Sequence, residues 1–129
     1  VEQYSARYKP FRVAAWHIFS TSERNITMVN IEQDTMLAHA SDAEQYLKLL
    51  ANKTRLMVLC SLLEEELSVT TMLTFIPVTQ PVLSQHLAIL RDASLVATRR
   101  EGQTIYYRLA DDRIRETIGL LYRFFCSDR

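Results

Sequence analysis

Apolar residues at Ala43, Tyr46, Leu47 and Leu50 fall at the spacing of one helix face, with Ser41 or Asp42 placed to cap its start. The period resumes behind Asn52, with Leu56, Leu59, Cys60 and Leu63 on one side. This second helix is expected to reach the acidic run Glu64, Glu65, Glu66, whose charges oppose the helix dipole and should fray that end. Ser68 caps a short third helix with Met72, Phe75 and Ile76 as its apolar positions, and Pro77 stops it. After the tight turn at Pro77 and Val78, Thr79 is an N-cap and Pro81 sits in a first turn where its missing N–H costs nothing. A fourth helix to about Asp92 follows, with Leu83, Leu87 and Leu90 inward.

Beyond Ala93 and Ser94 the period changes to two. Leu95 to Arg100 and Gln103 to Leu109, rich in Val, Thr, Ile and Tyr, are predicted as a β-hairpin turning at Glu101 and Gly102. Asp111 and Asp112 open a last helix in which Ile114, Ile118, Leu121 and Phe125 recur at helical spacing, widened by Leu120 and Phe124. So broad an apolar face asks for two partners, the core on one side and the same helix of a second subunit on the other, so a homodimer through the terminal helices is expected.

Two short helices joined by a tight turn, followed by a hairpin, make a winged helix-turn-helix. The fold class expected is mainly α with a small β-hairpin, in the order α-α-α-α-β-β-α. The helix-turn-helix spans about 68–92, the wing about 95–109 and the dimerisation helix about 111–126, all within a domain of residues 41–129. Residues 1–40 read as an N-terminal extension. Its first 27 residues hold Tyr4, Tyr8, Phe11, Trp16 and Phe19 and four basic against two acidic residues, without a sustained period. With Met28 directly after them they read as lying outside the native domain, the other reading being an arm that covers the dimer or touches DNA.

Composition narrows the function. With 129 residues, 48% hydrophobic, two glycines and three prolines, the chain can bury one core and has few loop formers. Fifteen basic residues balance fifteen acidic ones, so any nucleic-acid contact must come from a local patch. The longest candidate for a targeting segment, Val13 to Phe19, is interrupted by His17 and too short to span a bilayer, and a soluble cytoplasmic protein without membrane partners is expected. In that compartment two cysteines, Cys60 and Cys126, are expected as reduced thiols.

The second helix of a helix-turn-helix enters the major groove, where its outward residues must donate or accept hydrogen bonds. Thr79, Gln80, Ser84, Gln85 and His86 fit that need; Gln85 has the amide for a bidentate pair with adenine, and the hydroxyls suit phosphate or base. Arg91, Arg99, Arg100 and Arg108 supply charge, and between residues 79 and 108 basic residues outnumber acidic ones four to two. With Gln103 and Thr104 at the hairpin tip, these residues form the candidate contact surface for double-stranded operator DNA. The plainer reading is that polar residues on a helix face water and that His86 is a surface histidine.

From Leu83 to Leu109 the chain reads LSQHLAILRDASLVATRREGQTIYYRL, which resembles the signature of ArsR-type (ArsR/SmtB) winged-helix repressors, and the likeness extends over roughly residues 41–126. The resemblance implies a dimer with recognition helix and wing on DNA. Ser94 and Pro77 stand where relatives usually have glycine, and neither readily takes the positive φ that glycine permits. Metal sensors of the family carry a Cys-Val-Cys pattern where this chain has Ser68, Val69, Thr70, and others use Asp and His in the last helix, where it has Ala110 and Arg113. No metal site or other cofactor is therefore expected, although His39 with the two thiols would be the donors if the chain were a metal-responsive repressor.

The segments ANKTRLMVLCSL and LLYRFFC are similar to the sulfide- and redox-responsive branch of the same family. That resemblance implies that Cys60 and Cys126 are a switch at which a persulfide or oxidant, as inducer, forms a bridge and DNA is released. The residues alone also allow a Cys60 that packs as a small hydrophobe. An enzyme, such as a thiol oxidoreductase, is disfavoured because the chain lacks Cys-x-x-Cys, a glycine-rich phosphate loop and a Ser, His, Asp cluster. A winged helix that binds only protein is the remaining rival, with Leu73 and Phe75 as its exposed-looking residues.

Overall fold

The computed structural model describes residues 26–126, and their side chains from residue 33 onward. The aromatic segment before Ile26 lies outside the described residues. Compact units divide at Glu44 and Gln45. In the first unit the described chain is helical, and its side chains are exposed apart from a half-buried Met36. Everything below concerns the second unit, except where the long helix α1 (Ile26–Leu50) is named.

The pattern places the start of this helix at Ser41, but α1 already runs from Ile26, the first described residue. No glycine or proline occurs between these positions, and a residue able to cap does not end a helix whose neighbours are all helix-compatible. Its inward face is also turned: Leu50 is buried and Leu49 half-buried, whereas Leu47 is exposed.

Helix α2 (Lys53–Ser61) begins as expected, with extended Asn52 accepting a hydrogen bond from the Arg55 N–H at 3.1 Å. It stops before the glutamates: Leu62 N–H reaches back to Val58 and Leu59, and the acidic run lies in the turn beyond. The expected fraying therefore has no helix end to act on. Leu67–Ser68 then forms a short strand β1, a pairing too brief to show as alternation. Ser68 also caps α3 (Val69–Leu73), accepting from Thr71 N–H at 3.2 Å. The chain leaves the helix at Thr74, which buries Ile76 but leaves Phe75 exposed.

Helix α4 (Gln80–Asp92) carries Pro81 in its first turn and buries Leu83, Leu87 and Leu90. Thr79 has N-cap backbone geometry, but its hydroxyl makes no capping bond. At the far end Ser94 adopts φ 60°, the one non-glycine residue with positive φ among the described residues. Ser94 N–H donates to Arg91 O and Leu95 N–H to Leu90 O, both at 2.9 Å, with Leu90 and Leu95 both buried. These are the two bonds and the apolar contact of a Schellman motif, so Ser94 takes the left-handed position usually given to glycine. Pro77 keeps a negative φ, so the turn before α4 is closed without a left-handed residue there.

The hairpin consists of β2 (Val96–Glu101) and β3 (Thr104–Leu109), in register from Val96 opposite Leu109 to Glu101 opposite Thr104. The turn is Gly102-Gln103, one position later than the pattern suggests, because Gly102 supplies the positive φ (63°) that the first residue of a tight hairpin turn needs. Strand β3 lies between β1 and β2. Helix α5 (Asp112–Phe125) is capped by Asp111, which accepts from Ile114 N–H at 3.0 Å, and it buries Ile114 and Ile118. Tyr46 at the end of α1 donates to Thr117 Oγ1 of α5 at 2.8 Å, and Arg113 stacks on the same tyrosine ring at 5.0 Å. Leu59, Leu62, Met72, Leu83, Leu87, Ile114 and Ile118 pack into one core, so α4 and the sheet are held on a closed apolar base.

Candidate nucleic-acid interface and thiol pair

On α4 the leucines at positions 83, 87 and 90 turn the opposite side of the helix outward, and Thr79, Gln80, Ser84 and Gln85 are all exposed. Arg91 in the last turn is exposed as well. His86 is different. It is half-buried, and its Nδ1 lies 3.3 Å from Nη1 of Arg55 on α2. The structure thus brings the other helix residues together on an exposed surface and sets His86 on the flank that faces the core.

In the wing, Arg99, Arg100, Gln103 and Thr104 are exposed. Strand alternation places Arg99 on one face with Glu101 and Tyr106, and Arg100 on the other, opposite Ile105. Arg99 Nε is 3.2 Å from both carboxylate oxygens of Glu66, its Nη1 is 2.9 Å from Glu101 Oε2, and its guanidinium sits 4.7 Å above the Tyr106 ring. The hydrogen bonds to Glu101 and then to Glu66 hold the charge on Arg99 still more firmly than usual. By contrast, the side chains of Arg91, Arg100 and Arg108 make no hydrogen bond or ion pair among the described residues. Within α4 and the wing, the described cations on hand for an external phosphate are therefore those three, while Arg99 already holds two carboxylates.

Glu66 and Arg55 are the participants that local patterning does not show. Glu66 is the last residue of an acidic run and meets Arg99 across 33 positions of chain; the β1–β3 and β2–β3 pairings together bring them close.

The two cysteines are free thiols. Cys60 is half-buried near the end of α2 and packs against the core, whereas Cys126, at the C-cap of α5, is exposed. Burial, and then electrostatic repulsion from Cys126, push the Cys60 thiol above its ordinary value of 9.0, and the two helices that carry the thiols, α2 and α5, pack against each other. Among the described residues no group of three His, Cys, Asp or Glu side chains is placed to hold a metal ion, and no helix is long and apolar enough to cross a membrane. The outward side of α5 carries exposed Leu120, Tyr122, Phe124 and Phe125, beside a shallow concavity lined by Glu116, Gly119, Leu120 and Arg123.

A family model described as bacterial regulatory protein, arsR family, matches residues 52–98. Over 105 residues the chain is 39% identical to the biofilm growth-associated repressor of Agrobacterium fabrum, which covers 81% of this chain and 90% of that protein. It is 43% identical over 92 residues to the transcriptional activator HlyU of Vibrio cholerae, covering 71% of this chain and 85% of HlyU. The structure of reduced HlyU from that organism matches with a TM-score of 0.69, covering 72% of this chain and 98% of the other. The homodimeric winged helix-turn-helix DNA-binding domain of Mb0332 from Mycobacterium bovis matches with a TM-score of 0.62 at 30% identity, covering 70% and 84%.

Proposed function

Since this chain belongs to the ArsR family of bacterial regulatory proteins and is a DNA-binding transcription regulator of winged helix-turn-helix fold, we propose that it binds double-stranded operator DNA as a homodimer and is released by sulfur chemistry at Cys60 and Cys126. Helix α4 enters the major groove, where Ser84 and Gln85 meet base edges and Thr79 and Gln80 meet backbone or base, while Arg91, Arg100 and Arg108 neutralise phosphates. Gln103 and Thr104 at the wing tip reach the adjacent groove or backbone, and Arg99 shapes the wing through its carboxylate partners. The apolar side of α5 joins the two subunits. In sign the protein acts as a repressor, as the name of its Agrobacterium relative indicates for that protein.

The observation that carries the switch is the placement of an exposed thiol at the C-cap of α5 and a half-buried one near the end of α2, on two helices that pack against each other. Exposure and the raised pKa of Cys60 set the order of events, because the thiolate is the nucleophile. Cys126 thiolate attacks the outer sulfur of a low-molecular-weight persulfide, displacing its thiolate and becoming a persulfide itself. The Cys60 thiol then loses its proton to water and attacks the inner sulfur of that group, expelling hydrosulfide and leaving a Cys60–Cys126 disulfide. Such a bond ties the end of α5 to the end of α2, two elements that pack on the same core as α4.

The half-burial of Cys60 supports one other reading, a structural thiol with no sensing role. Fluorescence anisotropy on a duplex from the gene's own upstream region separates the two. Persulfide treatment is expected to release the DNA from the native protein but not from Cys60→Ser; unchanged affinity of the treated native protein makes Cys60 a packing residue.

A further inference from the structure

Arg55, in the first turn of α2, joins three helices. Its backbone N–H is taken by the Asn52 cap, its Nε donates to Leu49 O at 2.6 Å, its Nη2 to Lys48 O at 3.2 Å, and its Nη1 faces His86 Nδ1 at 3.3 Å. The last carbonyls of a helix lack partners within it and carry the negative end of its dipole, so the end of α1 anchors the guanidinium at two of its nitrogens. A guanidinium has no acceptor and keeps its proton, so Nη1 donates, Nδ1 accepts, and the ring proton of His86 sits on Nε2. Across this bond lies α4, with Ser84 and Gln85 immediately before His86.

We propose that Arg55 is a positioning residue for the DNA-reading helix. Anchored by the Lys48 and Leu49 carbonyls, it fixes the rotation of α4 through His86, and His86 is the seat of that contact rather than a reader of bases. The apolar contacts of Leu83, Leu87 and Leu90 hold α4 against the core but are non-directional. The Arg55–His86 bond is directional, and it sets where Ser84 and Gln85 point. Lysine cannot replace Arg55, because its single ammonium nitrogen cannot stand in for the three guanidinium nitrogens that separately meet Leu49 O, Lys48 O and His86 Nδ1. The inference rests on α4 being the helix that reads DNA.

Two measurements on the full chain test it. The ¹⁵N spectrum of the imidazole should show His86 in the Nε2–H tautomer, and Arg55→Met should shift it toward a mixture; an unchanged spectrum overturns the contact. Binding is then measured to a duplex from the gene's own upstream region and to a random duplex of equal length. Arg55→Met and His86→Leu should each weaken the specific complex by about tenfold while leaving random-duplex affinity nearly unchanged, with the double variant no worse than either. His86→Asn, which keeps an acceptor near the Nδ1 position, should restore most of the loss, and Arg55→Lys should not. Additive losses, or a base preference altered by His86→Leu and untouched by Arg55→Met, would show that His86 contacts DNA and overturn the seat. If the native protein does not discriminate between the duplexes while the tautomer shift is present, what falls is the reading of α4 as the specificity helix, and the positioning role with it.

Discussion

Helices α4 and α5 are built alike on the inside and differently on the outside. Each starts at an N-cap with extended backbone, runs for 13 or 14 residues, and sinks branched aliphatic side chains into the same core: Leu83, Leu87 and Leu90 from one, Ile114 and Ile118 from the other. Outward, α4 presents Ser84, Gln85 and Ala88 with Val82 and Ile89 also exposed, whereas α5 presents the larger Leu120, Tyr122 and Phe124. The inner faces decide that both helices stay. In the function proposed above, the outer faces decide what each meets, a hydrogen-bonding groove in one case and another apolar surface in the other.

The strongest challenge to that symmetry is in the core. Leu87→Ala and Ile118→Ala each remove a side chain that is almost wholly enclosed, and each is expected to lower stability by about 2–5 kcal/mol in urea unfolding. Losses of similar size sustain the view that one core holds both helices; a near-silent Ile118→Ala would make α5 an appendage that folds only in the dimer.

The outer faces are separated by crossed readouts. Phe124, 59% exposed, changed to Asp is expected to dissociate the dimer in analytical ultracentrifugation while the helical signal of the monomer persists. Gln85→Ala is expected to cost about 1–3 kcal/mol in specific DNA binding and leave the dimer intact. A Gln85→Ala variant that loses dimer, or a Phe124→Asp variant that remains dimeric, breaks the division of labour.

A smaller difference lies at the N-caps. Asp111 accepts from Ile114 N–H, while Thr79 makes no side-chain capping bond. Asp111→Ala should therefore cost about 1 kcal/mol of stability and Thr79→Ala much less, as read from denaturation midpoints. Equal costs would mean that Thr79 caps α4 in solution.

The elements that local chemistry specifies were legible in the sequence. Asn52, Ser68 and Asp111 cap where the pattern places them, and the leucines of α4 point inward as their spacing predicts. What escaped depends on partners distant in the chain or on signals that are not there. The start of α1 has no stop residue to mark it, β1 is only two residues long, and the hairpin turn moves by one because Gly102 rather than Glu101 takes the positive φ. The candidate site divides the same way. Helical spacing suffices to put Ser84 and Gln85 outside, but the contacts of His86 and Arg99 are set by Arg55 and Glu66, 31 and 33 positions away. No local window reveals that His86 is already engaged, and for Arg99 it offers only Glu101, two positions along the same strand face.

The C-terminal ends of the two helices give the finest distinction. Helix α4 closes with the Schellman bonds around Ser94, whereas α5 ends at Cys126 with φ −122° and a single bond to Tyr122 O. A left-handed L-residue costs about 1–2 kcal/mol that glycine does not, and glycine gives back part of that gain through the greater freedom of the unfolded chain. Ser94→Gly is accordingly expected to raise stability by about 0.5–1 kcal/mol, seen as a higher urea midpoint at unchanged slope. Ser94→Val, β-branched at φ 60°, should lower it. If Ser94→Gly instead destabilises, the serine hydroxyl contributes more to closing α4 than the backbone strain costs, and the end of α4 would owe its geometry to a side chain rather than to the two backbone bonds.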